Sequence, residues 1–455
     1  MKLKKYTKLL NKYIPGGAHT YSRGYDQFSE NAPEVLLKGD KQFVYDVYGN
    51  KFLDFGMGLR SIGIGYNEKK INDGAFRQIK FGNNLTRPSL VELEAAKKFV
   101  NHFDSVDMVK FTKNGSTAVT AAVKLSRGFN QKKIVARCVD HPFFSYDDWF
   151  IGSTIIKRGV PKEISDLTVM FKYNDIESLK KIILQNKNNI SCVVLEPSTI
   201  CCPLTNNLSL KNKCCGLADC TNNFKSNFLL DVQNICKENK IIFILDEMIT
   251  GFRWNLYGAQ NMYGVDPDIS TFGKAMANGF PLAAIGGKEE IMSIGGINKK
   301  NSERLFLLST THGAEMSSLG AFIENLNFYK KKDVIKNIWK TGYELKKIFN
   351  DLSKEYDLSD YVKMAGIACS PFYICKDQNK KISNSFKTLF MQEMIKNKIL
   401  WPSFVSVCYR HNQSDLQKVK SALKKVLPIY KAALKKGIKK YLKGNSIQPV
   451  FRRYN

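Results

Sequence analysis

Short apolar runs alternate with helix-spaced patterns through the middle of the chain, and this rhythm restricts the fold more than any other feature. DMVKFTKNG (Asp107 to Gly115) reads as a strand and turn, and STAVTAAVKLSRG (Ser116 to Gly128) as a helix. KIVARCV (Lys133 to Val139) and ISCVVLEP (Ile190 to Pro197) are strands, FLLDVQNICKENK (Phe228 to Lys240) a helix, and IIFILDE (Ile241 to Glu247) and ISTFG (Ile269 to Gly273) two more strands. Strand and helix in turn predict a mostly parallel sheet covered on both faces, with binding residues at the carboxyl ends of its strands. VYDVYGNKFLDF (Val44 to Phe55) differs: it predicts a hairpin with Tyr48-Gly49-Asn50 in the turn. Ser317 to Phe349 reads as one long helix. The expected fold class is α/β: a large mostly parallel-sheet domain over 69–316, and a smaller α+β domain built from both chain ends, 1–68 and 317–455.

The 455 residues, 44% hydrophobic and 12% aromatic, suffice for two or three lobes around at least one large core. No run of about 18 apolar residues marks a membrane span, so no membrane association is expected. The basic start MKLKKYTKLLNKYIPGG lacks the apolar region of a signal peptide, and the expectation is cytoplasmic. A formal charge of +29 invites a nucleic-acid reading, but the lysines are spread over the whole length among Asn and Ile, a compositional bias and not a recognition face. No nucleic-acid partner is expected. The densest basic segment, Leu423 to Asn445, spaces its apolar residues as a helix, either with a solvated lysine face or, as the alternative, docking on an acidic partner or membrane surface. Five of eleven cysteines (Cys201, Cys202, Cys214, Cys215, Cys220) share one Asn-rich segment. Adjacent pairs without histidine are poorly spaced for zinc, so the cluster reads as accidental or loop-specific, with a metal or redox site as the alternative, and no metal is expected.

Four elements fall where a phosphate-bearing aldehyde cofactor needs them. Lys274, in DISTFGKAMANGF, is delivered by a strand-like run to a Gly-flanked position, where a lysine can hold such a cofactor as a Schiff base and carry a proton. Asp246 ends a fully apolar strand, and a carboxylate placed there needs a cationic partner such as a protonated pyridine nitrogen. KNGSTAV (Lys113 to Val119) sets Ser116 and Thr117 at a helix N-terminus, where hydroxyls and amides suit a phosphate. LLSTTHGAE (Leu307 to Glu315) offers Thr311 to the same anion, or forms an ordinary turn.

In this order and at these separations, NGST, LEP, DEMITGFRW, STFGKAMANGFPLAAIGG and TTHG resemble the class III aminotransferases of pyridoxal phosphate fold type I. PGGAHTYSRG (Pro15 to Gly24) and the block around Lys274 bring the glutamate-1-semialdehyde aminomutase branch nearest, and the resemblance runs from about Pro15 to the region of Pro402. It implies pyridoxal 5'-phosphate as cofactor, bound through Lys274, with Asp246 on the pyridine nitrogen and Ser116 and Thr117 on the phosphate. It further implies a homodimer in which Thr311 arrives from the partner subunit, with Met248 as an apolar wall against the ring. Arg23 matches the arginine for the substrate carboxylate, and Arg60 is a second anion ligand or a surface arginine.

Three stretches depart from that pattern. Asp140 stands where the family places an aromatic residue over the ring, so His141 or Phe143 takes over the stacking. ILWPSFVSVCY (Ile399 to Tyr409) lacks the acidic residue of the aminomutases, and the Cys-rich segment between Pro197 and Phe228 is foreign to the pattern. The expected activity is transfer of an amino group between a carboxylate-bearing donor and an oxo or aldehyde acceptor. The alternatives are intramolecular exchange by a true aminomutase, an epimerase or racemase using the same site, a relative acting on sugar or surface-polymer precursors, and a non-catalytic basic binding protein on the same scaffold.

Overall fold

The structure is a computed structural model that describes residues 4–186, 188–198, 202–205, 226–298, 301, 303–313 and 315–454. The chain divides into two compact units, Lys69–Ile335 and Met1–Glu68 with Lys336–Asn455. The larger unit is built on seven strands: β1 (Met108–Thr112), β2 (Ile134–Cys138), β3 (Thr168–Phe171), β4 (Ile190–Leu195), β5 (Ile242–Glu247), β6 (Ile269–Phe272) and β7 (Ala283–Gly287). They hydrogen-bond in the order β1-β7-β6-β5-β4-β2-β3. All neighbours from β6 to β3 are parallel, while β7 runs antiparallel to both β6 and β1. Every residue of β4, β5, β6 and β7 is buried. Runs buried on both faces read as continuous apolar stretches without alternation, as parallel strands under covering helices do.

The expected α/β class holds, and the sheet is mixed because β7 enters it. AAIGG makes that possible: a Cβ on Gly287 would come within 2.5 Å of the Asp268 carbonyl, so only glycine lets β7 pack this close. Helix α1 (Gly115–Asn130) follows β1 and packs on the sheet, and α2 (Phe228–Glu238) leads into β5. Asn227 starts α2 by accepting the Leu229 and Leu230 amides at 3.2 and 3.4 Å.

The single long helix expected over Ser317 to Phe349 is two helices, α3 (Met316–Lys332) and α4 (Val334–Glu355). Asp333 breaks them with φ 45°, a left-handed conformation that aspartate tolerates better than most residues. The basic C-terminal segment also differs from its expected span. Its helix α5 (Gln413–Lys436) begins ten residues before Leu423, where Asn412 and Asp415 form a capping box, and stops at Gly437, whose φ of 86° no continuing helix can use.

In the other unit the hairpin expected over Val44 to Phe55 is present. Phe43–Asp46 and Lys51–Asp54 pair antiparallel, and Asp46 closes the turn by accepting the amides of Tyr48 (2.9 Å) and Asn50 (2.8 Å). Ile399–Leu400 joins the same sheet parallel to Lys51–Asp54, so residues from both ends of the chain build it.

Of the clustered cysteines, Cys202 is buried, and the other four lie outside the described residues. Among the described residues no group of His, Cys, Asp or Glu is arranged to hold a metal ion. No helix among them is long and apolar enough to cross a membrane.

Candidate active site

The carboxyl ends of β5 and β6 carry the centre of the site. Asp246 and Thr271 are partners in the parallel register, so they share one face, and Thr271 donates its hydroxyl to Asp246 Oδ1 at 3.1 Å. The Met248 amide donates to the same oxygen at 2.9 Å. Asp246 is 3% exposed. Burial pushes its pKa up to about 6, against the opposing pull of the Lys274 charge, the Met248 amide and the Thr271 hydroxyl. The neighbouring Glu247 is fully buried and has a different task. Its carboxylate accepts the amides of Ala259 (3.0 Å) and Gln260 (2.7 Å) and the Thr250 hydroxyl, which folds the segment after β5 back onto the strand. Burial pushes Glu247 up to about 7 despite those donors.

Lys274 opens a short turn, Lys274–Ala277, straight after β6 and Gly273, with a left-handed φ of 42°. Such a conformation costs a non-glycine residue of order 1 kcal/mol or more and persists where the surroundings impose it. Here α3 does so: buried Asn325 donates its amide to the Ala275 carbonyl at 3.0 Å and the Met276 carbonyl at 2.9 Å.

Met248 joins the parts. It packs with Ala118 of α1 and Ala283 of β7. A Cβ on Gly273 would come within 2.2 Å of its Sδ, and one on Gly115 within 2.9 Å. Its side chain therefore fills the space between the Lys274 turn and the start of α1, and both glycines are required for that approach.

At the start of α1, Asn114 Oδ1 accepts the Thr117 amide (2.9 Å) and the Thr117 hydroxyl (3.1 Å). Ser116 Oγ accepts the Tyr146 amide at 3.2 Å, which leaves its own proton to donate. The loop after β2 is tied to this helix through Ser145 and Thr120, whose hydroxyls lie 2.9 Å apart, and through Trp149, which donates to Thr120 at 3.0 Å. Lys113, one residue before the cap, forms a 2.9 Å ion pair with Glu315, the cap residue just before α3. Thr311 is exposed, and its carbonyl accepts from Asn84 at 3.2 Å.

Asp140, in the position expected to be aromatic, accepts the Tyr173 amide at 2.8 Å. His141 is 3% exposed and accepts the Glu196 amide on Nδ1 at 3.0 Å, so the proton of its neutral ring sits on Nε2. Burial and the nearby Arg137 charge depress its pKa to about 3. Its ring meets Phe144 and Tyr173 edge to face. Phe143 is 47% exposed and touches Phe150 edge-on.

Thus Lys274, Asp246, Met248, Ser116 and Thr117 come together in one unit, with His141 and Glu196 at the neighbouring ends of β2 and β4. Arg23 and Arg60 belong to the other unit. Arg23 is exposed in the turn Tyr21–Arg23. Arg60 ends a run of left-handed backbone (Met57 φ 43°, Gly58 57°, Leu59 61°, Arg60 71°), and its guanidinium lies 4.8 Å over the Phe404 ring. Asp54 supports that run by accepting the Gly56 and Met57 amides at 2.7 and 3.0 Å and the Tyr66 hydroxyl at 2.7 Å.

No sequence motif assigns a site role to Thr271 or Asn325, or pairs Lys113 with Glu315. Thr271 leaves a faint signal as a hydroxyl in an apolar strand. Asn325 leaves a clearer one, an amide among apolar residues at helical spacing. The ion pair joins positions about two hundred residues apart and leaves none.

Residues 25–200 and 221–397 match the family described as Aminotransferase class-III. A glutamate-1-semialdehyde 2,1-aminomutase of Methanosphaera stadtmanae is 31% identical over 344 residues, covering 73% of this chain and 75% of that protein. The 3-aminobutyryl-CoA aminotransferase of Cloacimonas acidaminovorans is 28% identical over 430 residues, covering 92% and 95%. Among solved structures, the FumI protein of Sphingopyxis sp. MTA144 in its PLP internal aldimine form superposes with a TM-score of 0.80 at 18% identity, covering 96% of this chain and 97% of that one. An omega-transaminase from Sphaerobacter thermophilus superposes with a TM-score of 0.78 at 19% identity, covering 94% and 97%. At these identities the structural likeness speaks for the fold.

Proposed function

The chain belongs to the class-III aminotransferases, and from that premise we propose that it is a pyridoxal-phosphate enzyme moving an amino group between a carboxylate-bearing amino donor and an oxo or aldehyde acceptor. The observation that carries the reading is Asp246, a buried carboxyl raised to about 6, with the charge of Lys274 acting on it. Such a group is costly in a bare strand end and becomes favourable once it faces a protonated ring nitrogen.

Pyridoxal phosphate, when bound, supplies an aldehyde that condenses with amines and a ring that accepts the electron pair released at the substrate carbon. The chain's own residues do the rest. Asp246, its Oδ1 already accepting from Met248 and Thr271, would hold a proton at the ring nitrogen. Lys274 would be the residue that holds the cofactor, and its Nζ would carry the proton at the substrate carbon. Met248 keeps water from one side. Ser116, with its hydroxyl proton to donate, and the first amides of α1 would hold the phosphate; the Thr117 hydroxyl is spent on Asn114, so Thr117 would serve through its place in the turn. Neutral, buried His141 suits a ring contact better than half-exposed Phe143.

Arg23 would take the substrate carboxylate, with Arg60 as a second anion ligand. The left-handed run at Met57–Arg60 is strain of the kind kept at ligand-binding turns. The protein works as a homodimer in this reading, and exposed Thr311 serves the partner's phosphate.

The test is the cofactor's visible absorption on the purified protein. The wild type should show the band of covalently held cofactor, and Lys274→Ala should lose it. An unchanged band in Lys274→Ala refutes the reading. Intramolecular exchange is the second reading, supported by the 31% identity to an aminomutase. Turnover of glutamate 1-semialdehyde without an external amino donor would select it.

A further inference from the structure

Resting on the cofactor reading above, we propose that the Lys113–Glu315 ion pair is a positioning strut at the phosphate end of the site, tying the turn that begins α1 to the turn that begins α3 and neutralising a carboxylate that would otherwise repel an anion there. Lys113 directly precedes Asn114, the cap of α1, and Glu315 is the first residue outside α3. Their charged atoms lie 2.9 Å apart, with the side chains only 23% and 20% exposed. Withdrawn from water to that degree, the pair is screened far less than a surface ion pair.

The α3 side of the strut is a single hydrogen-bonded body. Glu315 Oε1 accepts the hydroxyls of Ser317 (3.3 Å) and Ser318 (3.1 Å). Asn83 accepts the amides of Met316 on its carbonyl (2.8 Å) and Ser317 on its side chain (2.9 Å), and Asn84 donates to the Thr311 carbonyl. Lys113 is the link from this body to the start of α1. Burial alone would raise the Glu315 pKa, but Lys113 and the two serines outweigh it and leave the carboxyl below its usual range. Burial depresses Lys113, and Glu315 opposes that shift.

Two helix N-termini meet at this pair, and each favours an anion. Without Lys113, an ionised Glu315 would keep only the Ser317 and Ser318 hydroxyls, and its charge would no longer be neutralised from the α1 side. The strut therefore acts on a phosphorylated ligand and not on the same ring lacking its phosphate.

The experiment compares dissociation constants of pyridoxal phosphate and of unphosphorylated pyridoxal for the wild type, Lys113→Met, Lys113→Arg and the double variant Lys113→Met/Glu315→Gln. Thermal melting of the cofactor-free proteins controls for folding. Lys113→Met is expected to weaken pyridoxal phosphate about tenfold or more and pyridoxal by less than about twofold. Lys113→Arg should keep affinity, and the double variant should recover most of the loss. Should Lys113→Met fail to fold, Lys113→Gln reads the same ratio. Equal losses for both ligands, no loss, or a double variant as weak as the single one overturns the proposal. A wild type that binds neither ligand overturns the cofactor reading and this proposal with it.

Discussion

Thr271 donates its hydroxyl to Asp246 Oδ1 at 3.1 Å from the position opposite it in the parallel register of β5 and β6. Register, not sequence proximity, sets this contact, for the two residues are 25 apart in the chain. It turns a costly buried carboxyl into an oriented one, ready for a single proton-bearing partner.

Asp246 ionises near 6 in the folded protein, against an ordinary value of 3.8. A raised acid means that the folded state keeps a proton the unfolded chain has lost, so stability falls as pH rises from about 4 to about 6. Asp246→Asn, which carries no charge, should stabilise the cofactor-free protein above pH about 6 by up to about 3 kcal/mol, with the gain vanishing below pH about 4. Urea denaturation at several pH values checks this; a gain independent of pH would count against the buried-charge account. The same variant should lose catalytic turnover.

His141 shows the opposite sign. Its pKa is depressed to about 3 from 6.5, so the unfolded chain takes up a proton that the folded protein refuses, and stability is lost as pH falls below 6.5. His141→Phe removes the acceptor of the Glu196 amide and should cost about 1–3 kcal/mol at pH about 8. At pH about 5 the wild type already carries a penalty of about 2 kcal/mol, so the difference should narrow there or reverse. Equal differences at both pH values would contradict this.

Gly273→Ala places a methyl group within 2.2 Å of Met248 Sδ. Its φ of 179° is extended backbone, so the cost is steric and not conformational. The expected loss is about 1–3 kcal/mol, falling by more than half when Met248→Ala makes room. A double-mutant cycle by chemical denaturation reads the coupling, and additive losses would mean that the two residues do not press on one another.

Asp333 holds the left-handed break between α3 and α4. Asp333→Gly should leave stability unchanged or slightly raised, whereas the β-branched Asp333→Val should lower it by about 1–2 kcal/mol. Thermal melting distinguishes them; equal melting temperatures would show that the break is not strained.

Much of the fold is legible because periodicity is local. The apolar runs at Ile190–Leu195 and Ile242–Glu247 announce buried strands, and Gly115 to Asn130 announces its helix, from neighbouring residues alone. β7 is harder to see, since AAIGG carries little apolar bulk and becomes a strand through the close approach its glycines permit. The break at Asp333 is also hidden, because the helical spacing continues on either side of it.

By itself, the sequence determined the βα rhythm, the family, and the identity of Lys274 and Asp246 as a pair to be explained. These rest on short spans and on residue types in order, which chain chemistry displays directly. The tertiary structure alone decided that Thr271 orients Asp246, that Asn325 holds the left-handed turn of Lys274, that Met248 fills the space between two glycines, and that Lys113 meets Glu315. Each of these is a contact between segments far apart in sequence. Its free energy depends on burial and on distances of about 3 Å, quantities that exist only once the sheet is assembled.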